Sequence, residues 1–167
     1  METIDDFKNT IPQTGKVEWI GISAKRQSPV TELQEATVQV GRGIDGDHHC
    51  ASGNGEGKRQ VTLIQREHLD VVGRILGRDS IAPTLTRRNL VVSGINLIAL
   101  KERQFRVGEV LLEGSGPCAP CSLMEDNLGA GGYNAMRGHG GITTRVVEGG
   151  TIRIGDQVTV VAVTSDE

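Results

Sequence analysis

Two cysteines three positions apart, Cys118 and Cys121, hold the densest chemistry in this chain. They lie within Gly116-Pro117-Cys118-Ala119-Pro120-Cys121-Ser122-Leu123-Met124-Glu125. A C-x-x-C pair supports thiol–disulfide exchange, half of a zinc site, or a soft thiolate offered to a metal. Exchange of the thioredoxin type needs a strand-to-helix turn within an α/β fold, which the strand pattern here does not supply. Structural zinc needs two further donors. His48, His49, Cys50 and His139 are available, but none forms a second close pair with zinc-knuckle regularity. Free cysteine is often a small buried residue. The flanking prolines and glycines, and the polar helix start at Ser122, Glu125 and Asp126, favour an exposed thiolate instead.

Arginines supply the second kind of chemistry. Lys58-Arg59, Arg87-Arg88, Arg137 and Arg145 fall at the ends of predicted strands or in long loops. Guanidinium forks there suit phosphates and the edges of planar heterocycles. His139, inside Arg137-Gly138-His139-Gly140-Gly141, reads as a proton carrier, a ligand or a turn residue. His68 and Glu67, on a predicted helix, read as structural. Two glycine clusters invite nucleotide readings and fail them. In Gly53-Asn54-Gly55-Glu56-Gly57-Lys58, Ser52 stands where the first phosphate-loop glycine belongs, and Arg59 replaces the hydroxyl residue after the lysine. Gly129-Ala130-Gly131-Gly132 lacks the third glycine of the dinucleotide fingerprint and follows no strand.

Short strands must position these groups. Alternation and β-branching predict strands over Val17–Ile22, Ala36–Val40, Gln60–Ile64, Asn89–Val92, Phe105–Leu112, Ile142–Val147 and Thr151–Val163. Leu69, Val72 and Leu76 at helical spacing predict one main helix over Gln65–Leu76, with Gly77 as its C-cap. Gly41–Lys58 and Gly114–Gly141 read as long loops, which in compact domains usually carry function. The pattern predicts a mainly β fold, a closed or partly open barrel with one main helix and long loops. Strand–helix alternation is missing, so a parallel βαβ sheet is disfavoured. Residues 1–15 read as a flexible lead-in, 16–163 as the domain and 164–167 as a tail.

Composition narrows the function classes. The 167 residues suffice for one domain with a sizeable core. Eighteen Lys+Arg against 21 Asp+Glu give a net charge of -3, so no global basic field points to nucleic acid. Only four aromatics (Phe7, Trp19, Phe105, Tyr133) argue against a base-stacking platform. The most apolar run, Leu90–Leu100, is short and broken by Ser93, Gly94 and Asn96, so no membrane partner is expected. No apolar leader opens the chain, and three cysteines make no disulfide scaffold, which points to a reducing cytoplasm.

The order of several motifs is similar to that of the MOSC domain, the module related to the C-terminal part of molybdenum cofactor sulfurases. The succession is Gly43-Ile44-x-Gly46-Asp47-x-His49, Lys58-Arg59-Gln60-Val61-Thr62-Leu63-Ile64 and Arg87-x-Asn89-Leu90-Val91. It continues through Phe105-x-Val107-Gly108, Pro120-Cys121, Arg137-Gly138 and Gly150-x-Ile152-x-x-Gly155-Asp156. The resemblance covers roughly residues 16–163. No aminotransferase-like sulfurase domain precedes it, so the chain resembles a stand-alone member.

That resemblance implies a barrel of the pyruvate-kinase-barrel type and a cysteine that ligates molybdenum or carries sulfur. The matching cysteine is Cys121, with Cys118 as an additional, resolving thiol. Arg87 and Asn89 match the segment that contacts the pterin and its phosphate, and Arg59, Arg137, Arg145 and His139 are further cofactor-binding candidates. The implied cofactor is the molybdenum cofactor (molybdopterin). The implied activity is reduction of a small N-hydroxylated or otherwise oxidised substrate. No ferredoxin-like or flavin-binding appendage is recognisable, so electrons would come from separate redox partner proteins. Two alternatives stand beside this: a sulfur carrier whose Cys121 persulfide is delivered by a cysteine desulfurase, and a non-catalytic module stabilised by zinc on Cys118, Cys121 and loop histidines. Pyridoxal phosphate is associated with the sulfurase relatives, but no lysine here stands in a context that argues for a Schiff base.

Overall fold

Among the described residues there are eleven short strands, two of them (Thr31–Leu33 and Gly43–Ile44) outside the predicted stretches, and seven close on themselves. The computed structural model describes residues 1–52 and 55–163. Gly53, Asn54 and the 164–167 tail lie outside the described residues. The strands are β1 (Gly15–Ile22), β2 (Thr31–Leu33), β3 (Glu35–Gln39), β4 (Gly43–Ile44), β5 (Val61–Gln65) and β6 (Leu90–Ser93). They continue as β7 (Gln104–Val107), β8 (Val110–Pro117), β9 (Ile142–Glu148), β10 (Gly150–Arg153) and β11 (Gln157–Val160). The hydrogen-bonded order β11-β7-β8-β9-β5-β6-β1 is completed by pairing of β1 with β11, which closes the barrel. All neighbours are antiparallel except β5 and β6, which are parallel. Strand β2 hangs on β1 outside the ring, and β10, β3 and β4 form a separate three-stranded sheet.

Alternation decides which side chains fill the barrel. On β6, Leu90 and Val92 enter the barrel core while Val91 joins a second cluster outside the wall. On β5, Val61 and Leu63 point in and Ile64 points out. Phe105, Leu112, Ile142 and Val158 complete the interior from the remaining strands.

Six helices occur among the described residues: α1 (Ile4–Lys8), α2 (His48–Ser52), α3 (Arg66–Ile75), α4 (Pro83–Thr86), α5 (Ser122–Leu128) and α6 (Gly132–Met136). Leu69 and Val72 of α3 pack with Met124 and Leu128 of α5 and Met136 of α6 over Ile64 and Val91. This outer layer fixes the long segment between β8 and β9 against the barrel.

The mainly β barrel matches the expectation, and the differences are local. The segment read as a loop over Gly114–Gly141 holds the end of β8 and both α5 and α6. Its helices are seven and five residues long, too short for an apolar stripe to recur over several turns. Phe105–Leu112 is a hairpin rather than one strand, turning at Gly108 with φ +56. Thr151–Val163 likewise splits into β10 and β11 around Gly155, φ +92. The lead-in contains α1, which starts with a capping box between Thr3 and Asp6.

Candidate functional site

Cys118 and Cys121 occupy unlike surroundings. Strand β8 ends at Pro117, and residues 118–121 run without turn or bend to α5, where Cys121 is the N-cap with φ -114 and ψ 176. Cys121 is exposed; Cys118 is buried at 2% exposure. Two prolines, Pro117 and Pro120, hold the backbone φ that keeps this stretch extended. A chain of this shape directs the two thiols to different sides. The Cys118 sulfur accepts an N–H from Arg59 Nη2 at 2.8 Å. In this conformation Cys118 is a buried acceptor. All three cysteines are reduced.

Beneath the pair lies a residue that sequence reasoning groups with the anion-binding arginines but does not single out. Arg88 is 4% exposed. Its Nε donates to Gly140 O at 2.9 Å, Nη1 to Thr86 O at 3.1 Å, and Nη2 to the carbonyls of Cys118 and Ala119, each at 3.3 Å. Burial pushes its pKa down from the ordinary arginine value; the two thiols, Cys118 foremost, act the other way, and Arg59 adds to the depression. A buried guanidinium is tolerated when its donors are met, and four carbonyls meet them here. No periodic signal marks Arg88. Its neighbour supplies the cause, because Arg87 adopts the left-handed conformation (φ 58, ψ 23) at the end of α4. That turn sends the two side chains to separate loops.

Glycines bring the opposite wall close. A Cβ on Gly140 would lie 2.2 Å from Cys118 O, and one on Gly141, φ +83, would lie 1.8 Å from Leu63 O. Gly141 O in turn accepts from Cys118 N at 2.8 Å. The result is a cleft of about 410 Å³ whose lining includes Ile98, Pro117, Cys118, Pro120, Tyr133 and Arg137. A larger cavity of about 570 Å³ opens among Asn9, Lys101–Gln104 and Val161–Val163. It carries neither thiol nor imidazole; the smaller cleft takes in Cys118 and stops at Pro120, next in the chain to Cys121.

The remaining candidates scatter. Arg137 is exposed at the cleft. His139 stands behind the glycine wall, its Nδ1 2.9 Å from Ala135 O and its ring 5.1 Å from that of His68 in an edge contact. Burial, and next the charge on His139, hold the His68 pKa below the usual imidazole range. Arg87 donates to Ser23 Oγ, Ser28 O and Arg26 O, clasping the 23–28 loop. Arg145 is paired with Glu113 at 3.4 Å. Asn89, 3% exposed, is committed to the barrel wall. Its Oδ1 accepts from Thr62 N on β5 and its Nδ2 donates to Gly21 O on β1.

A second cluster forms at the start of α2. Asp47, 2% exposed, accepts from Ser23 N at 3.0 Å and from His49 Nδ1 at 2.9 Å. Burial opposes ionisation of Asp47, but these bonds outweigh it and leave its pKa below the ordinary carboxylate value. Burial, followed by the charge on His49, lowers the pKa of His48. Asp47, His48 and His49 have ligand atoms within 4.8 Å of one another. Among the described residues these histidines group with Asp47 and not with Cys118 or Cys121, so no four-donor zinc set assembles at the cysteines. No helix among the described residues is long and apolar enough to cross a membrane.

Residues 45–159 match the family model described as MOSC domain. The fold is similar to the YuaD protein from Bacillus subtilis, with TM-score 0.76 and 22% identity over 90% of this chain and 98% of that one. YiiM from Escherichia coli superposes with TM-score 0.66 at 20% identity, covering 90% of this chain and 72% of that one. YiiM from Geobacillus stearothermophilus gives TM-score 0.69 at 17% identity, with 88% and 75% covered. At these identities the likeness speaks to the fold. No curated protein matches the chain.

Proposed function

The chain belongs to the MOSC domain family, and on that premise we propose that it holds the molybdenum cofactor through Cys121 and reduces small N-hydroxylated or otherwise oxidised molecules with electrons from separate redox partner proteins. The observation that carries this reading is the pairing of an exposed thiol, Cys121, with a buried guanidinium, Arg88, bonded to four carbonyls under the same loop. The donor set fits the group. An accessible sulfur is a soft ligand suited to molybdenum. The exposed guanidinium of Arg59, held beside the loop by Cys118, suits a pterin phosphate.

When bound, the cofactor supplies the two-electron redox couple. The chain's residues hold and orient it. Cys121 provides the ligand atom at a backbone position fixed by Pro120 and by the first turn of α5. Arg88, which senses the charge of Cys121, and Arg59, bonded to Cys118, bring positive charge to the same segment. Reductive removal of a hydroxyl from nitrogen consumes two electrons and two protons and releases water. His139 and His68 are the titratable pair behind the cleft wall, with His139 Nδ1 fixed by Ala135 O. Arg87 belongs to this account as the clasp that holds the 23–28 loop, and its backbone turn is what frees Arg88 to reach the cysteine segment.

The persulfide carrier uses the same exposed thiol. Release of sulfur by Cys118 would require that residue to leave both its buried position and its bond to Arg59, so the geometry favours ligation over carriage. Protein made in a host that synthesises the cofactor separates them. Stoichiometric molybdenum, with reduction of a small N-hydroxylated aromatic compound under a chemical reductant, supports the reading. A one-sulfur mass increase on Cys121 after incubation with a cysteine desulfurase, in protein that takes up no molybdenum, rejects it.

A further inference from the structure

The cleft beside the 118–121 segment has an unusual lining for this chain. Tyr133 is the single tyrosine of the sequence, and it stands here 41% exposed rather than in a core. Ile98, 53% exposed, faces the same space, and Pro117 and Pro120 complete an apolar, flat-sided wall. Large apolar side chains left open around a cavity of this size mark a small-molecule subsite.

Charge sets the second requirement. Arg137 lines the cleft, and among the described residues no carboxylate pairs with it. Its hydrogen-bond partner is Asn134 Oδ1, on α6 and at a long 3.4 Å. No acidic side chain lines the cleft. Arg88 lies behind Gly140 and Arg59 beside Cys118, while the Glu125 carboxylate is committed to the backbone N–H groups of Gly131 and Tyr133. An uncompensated guanidinium in an otherwise apolar cleft is satisfied by a carboxylate or similar anion, which it can grip through two parallel N–H bonds.

We propose that this cleft is the substrate subsite and selects a small planar organic anion, its flat body against Tyr133 and Ile98 and its anionic group on Arg137. The oxidised substrate would then be an aromatic acid rather than a neutral or cationic amidine derivative. The inference takes its chemistry from the reading of Cys121 above, while its binding half stands on the cleft alone.

Benzoate and its uncharged isostere benzamide test it by NMR titration of the full chain, read at Tyr133 and the Ile98 methyls. Benzoate should give saturable shifts at these residues, with benzamide weaker by about tenfold or more, the equivalent of one charged hydrogen bond. Arg137→Ala should abolish that preference, and because Arg137 is exposed the thermal midpoint of the variant should match the parent. Arg74→Ala, at an exposed position on α3 outside the cleft lining, should hold benzoate affinity within about twofold. Equal binding of the two probes, no saturable shift, or loss of benzoate in Arg74→Ala with retention in Arg137→Ala would each overturn the proposal. Metal content plays no part in these titrations, so failure here is distinct from failure of molybdenum ligation.

Discussion

The sulfur of Cys118 and the guanidinium of Arg59 meet at 2.8 Å across a sequence separation of 59 residues. The contact ties the end of the glycine-rich 41–58 segment to the loop that presents Cys121. It also means that the two cysteines of the C-x-x-C pair have different jobs. One anchors and the other faces solvent.

Differential alkylation follows from that division. In the folded protein iodoacetamide should label Cys121 rapidly while Cys118 and Cys50, at 2% and 6% exposure, stay protected. Peptide mass spectrometry after a timed quench reads the three sites separately. Comparable rates at Cys118 and Cys121 would contradict the burial of the anchor.

Removing Arg88 should be costly. Arg88→Met leaves the carbonyls of Thr86, Cys118, Ala119 and Gly140 without their donor in a buried place. A loss of about 3 kcal/mol is expected. Urea denaturation measures it, and a loss below about 1 kcal/mol would show that these carbonyls find other partners.

Two glycines with similar backbone angles should respond differently to alanine. Gly77 has φ +76 and nothing within 4 Å of where an added methyl would sit, so Gly77→Ala should cost only the left-handed penalty of about 1 kcal/mol. Gly141, φ +83, would add a clash 1.8 Å from Leu63 O, so Gly141→Ala should cost at least about 3 kcal/mol or prevent folding. Thermal midpoints of the pair provide the comparison; equal shifts would mean the cleft wall is free to retreat.

Acid should loosen the α5–α6 connection. Glu125 accepts from Tyr133 N and Gly131 N, and these bonds, Tyr133 first, hold its pKa below the usual carboxylate value. A depressed folded pKa means that the stabilisation is present above the unfolded value of about 4.3 and fades as pH falls through the folded one. Glu125→Gln should therefore flatten the acid limb of a stability–pH curve. An unchanged limb would exclude the contribution. His68 has the same sign for a different reason. Its folded pKa is depressed by burial, so the unfolded chain binds more protons and stability declines as pH drops below about 6.5 toward the folded value. His68→Gln should remove that decline.

Much of the architecture is legible in the sequence because period-2 alternation is a local property. Leu90, Val91 and Val92 announce both a strand and its two faces, and Leu69 with Val72 announces the one helix long enough to show a stripe. The elements that stay hidden are those with no period to show. Helices α5 and α6 are seven and five residues long. The hairpin at Gly108 depends on a single glycine turning the chain, and many glycines here do not. At the site, residue type and spacing single out the Cys118–Cys121 pair and the arginines, and the resemblance selects Cys121, but neither tells which arginine is buried. Arg88 is distinguished by a left-handed turn at Arg87, a backbone conformation that no neighbouring residue type signals. Asn89 takes its cofactor role from the family resemblance alone; in the wall its amide bridges β1 and β5.

The central claim is that the sulfur of Cys121, and not that of Cys118, ligates molybdenum. Molybdenum content of Cys121→Ser and Cys118→Ser, purified beside the parent from a cofactor-competent host, tests it most directly. Loss of metal in Cys121→Ser with retention in Cys118→Ser is the predicted result; full molybdenum in Cys121→Ser would contradict it.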